Sequence, residues 1–219
     1  MIGRSGLGSL LVGGLLAAGL GCADASVHQR AVYMLLDTSG TYSAELAKAE
    51  AIARYLLGSL SSGDSLGLAR IDSASFSEKD IIAKVSFDDR PSRANQQKRA
   101  FRSRLDAFVR HVRGARHTDI TGGILQAAEW LNETGAGQKF ILVFSDLEED
   151  LRAGYVRDFA IDLEGIHVVA INVTKLRGDQ VDPREYRKRL AGWEKRVTAG
   201  GGDWRVLNNL ERLDKLLES

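Results

Sequence analysis

The 219-residue chain has one cysteine, two prolines and 7 % aromatic residues, and its 30 basic side chains stand against 29 acidic ones. A single cysteine excludes any disulfide framework within the chain. So few prolines, with no low-complexity tract, leave no sign of an interdomain linker or an internal repeat. The even charge balance gives no electrostatic argument for nucleic acid as a partner. No apolar run reaches the roughly 20 residues that a membrane-spanning helix needs. His28, His111, His117 and His167 share no ligand spacing, so a zinc site is not supported. No Ser-His-Asp or Cys-His arrangement stands out either, and catalysis is not expected.

What the chain does contain begins with its leader. Arg4 precedes an apolar stretch, Leu7 to Leu20, that ends at Gly21-Cys22. A stretch of this length suits a secretory h-region. A lone cysteine directly after a small residue at its end resembles a bacterial lipobox, which implies cleavage after residue 21 and a lipid on Cys22. Residues 1–21 are then a signal peptide, 22–29 a short tether and 30–219 one folded domain. Ala23-Asp24 lacks the aspartate directly after cysteine that marks inner-membrane retention, so the expected address is the cell envelope, on the outer membrane facing the periplasm.

The domain opens with Ala31-Val-Tyr-Met-Leu-Leu, uncharged at strand length, followed by Asp37-Thr-Ser39-Gly-Thr41. Such a run reads as a buried central strand delivering a carboxylate and two hydroxyls to a loop. Ligands of open α/β sheets bind at this end of the strands, and oxygen donors of this type favour Mg²⁺ or Mn²⁺. Two later segments repeat the theme. Thr118 stands just before a helical pattern, and Phe140-Ile-Leu-Val-Phe-Ser-Asp146 is a second apolar run ending in a carboxylate.

Taken together the three segments resemble the metal-ion-dependent adhesion site of von Willebrand factor A domains, whose pattern is Asp-x-Ser-x-Ser, then a Thr, then an Asp at a strand end. The resemblance assigns the metal to Asp37, Ser39, Thr41, Thr118 and Asp146, and it spans roughly residues 30–208. It implies a partner protein that offers an Asp or Glu to the ion. The chain departs from the pattern at Thr41, at His117 and at Leu147-Glu148-Glu149-Asp150, where the family often turns on Gly. Two alternatives share these residues. One is a scaffold lipoprotein whose metal site no partner uses. The other is a phosphotransferase of the haloacid dehalogenase type, which would place a second Asp where Ser39 stands.

The remaining pattern predicts a helix ending near Gly58 and an antiparallel edge hairpin from 65–71 and 80–87. Helices follow over 93–113 and 119–133, the latter capped by Asp119. A strand at 139–145, a helix at 153–163 and a strand at 166–173 come next. A helix carrying Tyr186, Leu190, Trp193 and Val197, a strand at 204–207 and a short C-terminal helix complete the chain. This alternation predicts a three-layer α/β/α fold, doubly wound around a mostly parallel sheet with one antiparallel edge strand. Between Arg90 and Arg116 lie nine basic residues and a single acid, Asp106. Its simplest reading is the solvated face of an amphipathic helix, with an acidic partner or an anionic lipid surface as the functional one.

Overall fold

The computed structural model describes residues 28–40 and 45–208, together with Leu213 and Lys215. The leader, Cys22, Thr41 and most of the expected C-terminal helix lie outside these residues. Strand β1 (Arg30–Asp37) runs through the centre of a six-stranded sheet with the order β3-β2-β1-β4-β5-β6. Its neighbours are β2 (Ser65–Ile71) and β4 (Gln138–Phe144), both parallel to it. Parallel β5 (Ile166–Ile171) and β6 (Asp203–Leu207) extend one side. On the other side β3 (Ile81–Ser86) closes the sheet as the antiparallel edge strand. Residues 31–36 of β1 are at most 1 % exposed, which requires apolar side chains on both faces.

Alternation along β1 divides the core in two. Val32, Met34 and Leu36 pack under α1 (Leu46–Ser59) and α2 (Pro91–His111), joined by Leu213. Tyr33 and Leu35 point the other way, toward α3 (Ile120–Thr134) and α5 (Pro183–Ala199). A short helix, α4 (Arg177–Val181), precedes α5. Each buried Leu, Ile, Val, Met or Phe contributes roughly 1.5–3 kcal/mol, so both layers are held mainly by this burial. Local signals agree with it. Pro91 opens α2, the Asp119 carboxylate accepts the Gly122 N–H at 2.8 Å to cap α3, and Gly135 ends α3 at φ 67°.

The helix expected at 153–163 is absent, and residues 151–165 form an irregular connection from β4 to β5. The apolar residues of this segment do not share one helical side. Val156 and Phe159 are exposed, whereas Ile161 and Leu163 are buried two residues apart. Arg157 is also pulled inward, its guanidinium donating to the fully buried Asp119 carboxylate at 2.7 Å. A charge buried without its partner would be costly, so this ion pair prevails over the helical preference of the segment. No helix among the described residues is long and apolar enough to cross a membrane.

The sheet also depends on one close approach. A β-carbon at Gly67, in the middle of β2, would overlap the ring of Tyr33 on β1. Gly67→Ala is expected to destabilise the domain by about 1–3 kcal/mol through overpacking, measured as a lower denaturation midpoint. An unchanged midpoint would mean that the ring has room to move.

Candidate metal centre

The register of the sheet sets the site. Asp37 is the last residue of β1, and Leu36 pairs with Phe144 at the end of β4, so Asp37 and the Ser145-Asp146 pair leave neighbouring parallel strands side by side. Both carboxylates are buried, each with 3 % exposure. One oxygen of Asp37 accepts the Ser39 N–H at 2.8 Å, which closes a turn of the aspartate type. Its other oxygen accepts the Ser145 hydroxyl at 2.6 Å. That hydroxyl in turn accepts the Leu147 N–H at 3.0 Å. Asp146 Oδ1 accepts the Glu148 N–H at 2.9 Å, while no group among the described residues donates to its Oδ2.

The turn after Asp146 is made without glycine. Leu147 takes φ 65° and still buries its side chain to 1 % exposure. Its carbonyl accepts the Trp193 indole N–H at 3.0 Å, and the Asp146 carbonyl accepts Arg189 Nε at 3.0 Å. Two contacts from α5 thus hold a backbone conformation that L-residues rarely adopt.

Thr118 enters from a third segment. Ala115 N–H donates to the Thr38 carbonyl at 2.8 Å, binding this segment to the Asp37 loop. Thr118 and Asp150 exchange backbone hydrogen bonds at 2.8 and 3.0 Å, binding it to the Asp146 loop. His117 Nδ1 lies 2.9 Å from Asp150 Oδ2. The three segments singled out in the sequence therefore form one rim. Asp37, Ser39 and Asp146 stand along its centre, Thr118 joins it through Asp150, and Thr41 lies outside the described residues.

The acidic run after Asp146 is mostly committed elsewhere. Glu149 accepts the Thr121 N–H at 2.7 Å and pairs with Arg196 at 3.0 Å, and Asp150 holds His117. Only Glu148 is left exposed without such a partner among the described residues. Sequence reasoning missed Ser145, Arg157, Arg189 and Arg196. Ser145 had a readable signal, since a hydroxyl directly before a strand-end aspartate falls beside Asp37 in register. The arginines had none, because the contacts that brace the rim, to Asp119, Asp146 and Thr121, lie 38 to 75 positions away in the chain.

Electrostatics at this rim disfavour a charged Asp146. Burial, together with the nearby negative charges of Asp37 and Glu148, pushes the Asp146 carboxyl up to about 6, against the lowering effects of the Glu148 N–H and Arg189. The donors are all oxygens, two buried carboxylates with hydroxyls beside them. That set fits a small hard dication, which would remove the like-charge conflict.

No protein-family model and no curated protein matches the sequence. Solved structures share the fold. A von Willebrand factor type A protein from Catenulispora acidiphila superposes with a TM-score of 0.53 at 13 % identity, over 86 % of this chain and 41 % of that one. The pilus adhesin SpaC from Lactobacillus rhamnosus GG, in an open conformation, gives 0.51 at 12 % identity over 87 % of this chain and 29 % of that one. The chain thus spans less than half of either structure, and its fold is that of a von Willebrand factor A domain.

The raised Asp146 carboxyl has a measurable consequence in divalent-free buffer. The unfolded chain releases this proton near pH 4 and the folded chain near 6, so between these values the folded state binds more protons. Its contribution to stability is therefore complete at the acid side and is lost as pH rises through 6. Asp146→Asn should remove that slope, and the wild-type curve should fall below the variant's by about 1–3 kcal/mol from pH 4 to 7. Parallel curves from denaturant melts would show Asp146 to be unperturbed.

Proposed function

We propose that this chain is exported, anchored at the bacterial envelope by lipid on Cys22, and binds a protein partner through a divalent cation held at the sheet edge. The observation that carries the reading is the buried Asp37–Asp146 pair, with a strongly raised Asp146 carboxyl and serine oxygens beside it. Ser39 and Thr41 would hold Mg²⁺ or Mn²⁺ directly. Asp37, Thr118 and Asp146 would hold it directly or through water. When bound, the ion would supply positive charge for a partner carboxylate, and because Mg²⁺ usually keeps several waters in protein sites, a water-held position would remain for such a group. The chain's own groups position it. Ser145 and the Ser39 N–H orient Asp37, while Arg189 and Trp193 fix the turn that presents Asp146.

Mg²⁺ or Mn²⁺ should raise the melting temperature in a concentration-dependent way, since an ion that binds only the folded state stabilises it by mass action. Ser39→Ala and Thr41→Ala should each weaken the effect, and Asp146→Ala should weaken it more because it removes charge facing a dication. Glu148→Gln with Asp150→Asn is the control. Should that pair abolish the response while Ser39→Ala leaves it intact, the ion is bound elsewhere.

The anchor is tested separately. Wild-type chain should partition into detergent and take up a fatty-acid probe, and Cys22→Ser should release it. Labelling that persists in Cys22→Ser would rule out this cysteine as the attachment point.

A further inference from the structure

We propose that the arginine face of α2 lies against the anionic lipid surface of the membrane that holds the N-terminus. The proposal rests on the anchoring reading and is independent of the metal.

Charge is the first observation. Of the nine basic residues between Arg90 and Arg116, Arg90 pairs with Asp88, whose charge Arg93 also helps to stabilise, and Lys98 donates to the Leu60 carbonyl. The only acid of the span, Asp106, is taken by Arg54 of α1. Arg99, Arg102, Arg104, Arg110, Arg113 and Arg116 are exposed, and no carboxylate among the described residues lies within ion-pair distance of them. Arg99 and Arg102, three positions apart on the helix, repel one another mildly, and an external anion would relieve that repulsion. A merely solvated face would carry both signs. Here Asp106 is the single acid against nine bases.

Shape is the second. Cations line both flanks of α2 as well as its crest. On one side a 530 Å³ cleft between α2 and the edge hairpin brings Lys79 across from Arg104, with Phe108 and Val112 in its wall. A 350 Å³ cleft between α1 and α2 on the other side is lined by Arg54, Lys98, Arg99 and Arg102. The first cleft also holds Asp80, paired with Arg70, so its remaining cations are Lys79, Arg104 and Arg113; a broad ridge with cations on both flanks suits an array of phosphate headgroups better than one extended acidic peptide.

Position is the third and chooses the occupant. Where the N-terminal segment enters the fold, Gln29 and Asp89 crowd the same turn: a β-carbon on Gly63 would lie 3.0 Å from Gln29 Nε2 and 3.3 Å from Asp89 Oδ1. Helix α2 starts two residues after Asp89. Only Ala23 to His28 separate Cys22 from this turn, a reach of roughly 20 Å when extended. A membrane that holds Cys22 is therefore within reach of the arginine row. Juxtamembrane arginines are drawn to anionic leaflets within about a Debye length. Docked this way, the domain lies with α1 and α2 toward the lipid, and Arg113 and Arg116 bring the contact to the segment that carries Thr118.

Arginine footprinting tests the proposal. The full chain is mixed with phosphatidylglycerol-rich or pure phosphatidylcholine vesicles, floated, treated with phenylglyoxal and analysed by mass spectrometry, with exposed Arg187 on α5 as internal reference. Docking predicts that Arg99, Arg102, Arg104 and Arg110 react about tenfold more slowly on the anionic vesicles, and that salt near 0.5 M removes the protection. R99Q/R102Q/R104Q should keep the wild-type melting temperature and leave Arg110 and Arg113 reactive on both lipids. Equal reactivity of wild-type α2 on the two lipids overturns the proposal. So does protection that appears only when envelope proteins are added, which would assign the face to an acidic protein. A chain that fails to float with phosphatidylcholine overturns the anchor alone, because docking is still read from flotation and footprint with phosphatidylglycerol.

Discussion

Two carboxylates leave adjacent parallel strands side by side at the C-terminal edge of the sheet, and both are shielded from water. Burial disfavours a charged Asp146 there, and the negative charge of neighbouring Asp37 adds to that cost. The neighbouring groups respond to that constraint. Ser145 and the Ser39 N–H donate to Asp37, the Glu148 N–H donates to Asp146, and the carboxyl of Asp146 is pushed up to about 6. Hydrogen bonds distribute the negative charge but do not cancel it. A dication would, and this is the ground on which a metal is proposed for the edge.

The constraint extends to the far helix. Holding Asp146 in place requires Leu147 at φ 65°, and that backbone is secured by Trp193 and Arg189 of α5. One turn further along, Arg196 joins Glu149 to the start of α3 by donating to the Thr121 hydroxyl at 2.8 Å, and Arg157 fills the space below by pairing with Asp119. These buried or half-buried ion pairs contribute little net stability once desolvation is counted. What they do is tie the loop to α3 and α5 at named points, Arg157 to Asp119 and Arg196 to Glu149. The loop in which a regular crossover helix would stand is thus committed to bracing the rim.

Much of this was legible in the sequence. The apolar runs of β1 and β4, the hairpin and the helical stripes follow from burial patterns confined to one element, and the strand-end aspartates follow from them. The departures share a cause. Residues 153–163 contain enough apolar residues for a helix, but the pull of Asp119 on Arg157 is a tertiary effect that no local pattern carries. Ser145 reads as the last residue of a strand, and only the pairing of β1 with β4 shows that its hydroxyl meets Asp37. The basic run between Arg90 and Arg116 was visible as composition. That six of its arginines have no ion-pair partner among the described residues, and that the segment at Gln29 lies beside the turn before α2, needed the fold.

The central claim is that one dication sits between the ends of β1 and β4. Anomalous diffraction from crystals of the domain grown with Mn²⁺ tests it most directly. The account predicts a single strong peak within coordination distance of Asp37, Ser39 or Asp146 oxygens, lost in crystals of Asp146→Ala. A peak at Glu148 and Asp150 with none at the strand ends would contradict it, as would an edge that stays metal-free at saturating Mn²⁺.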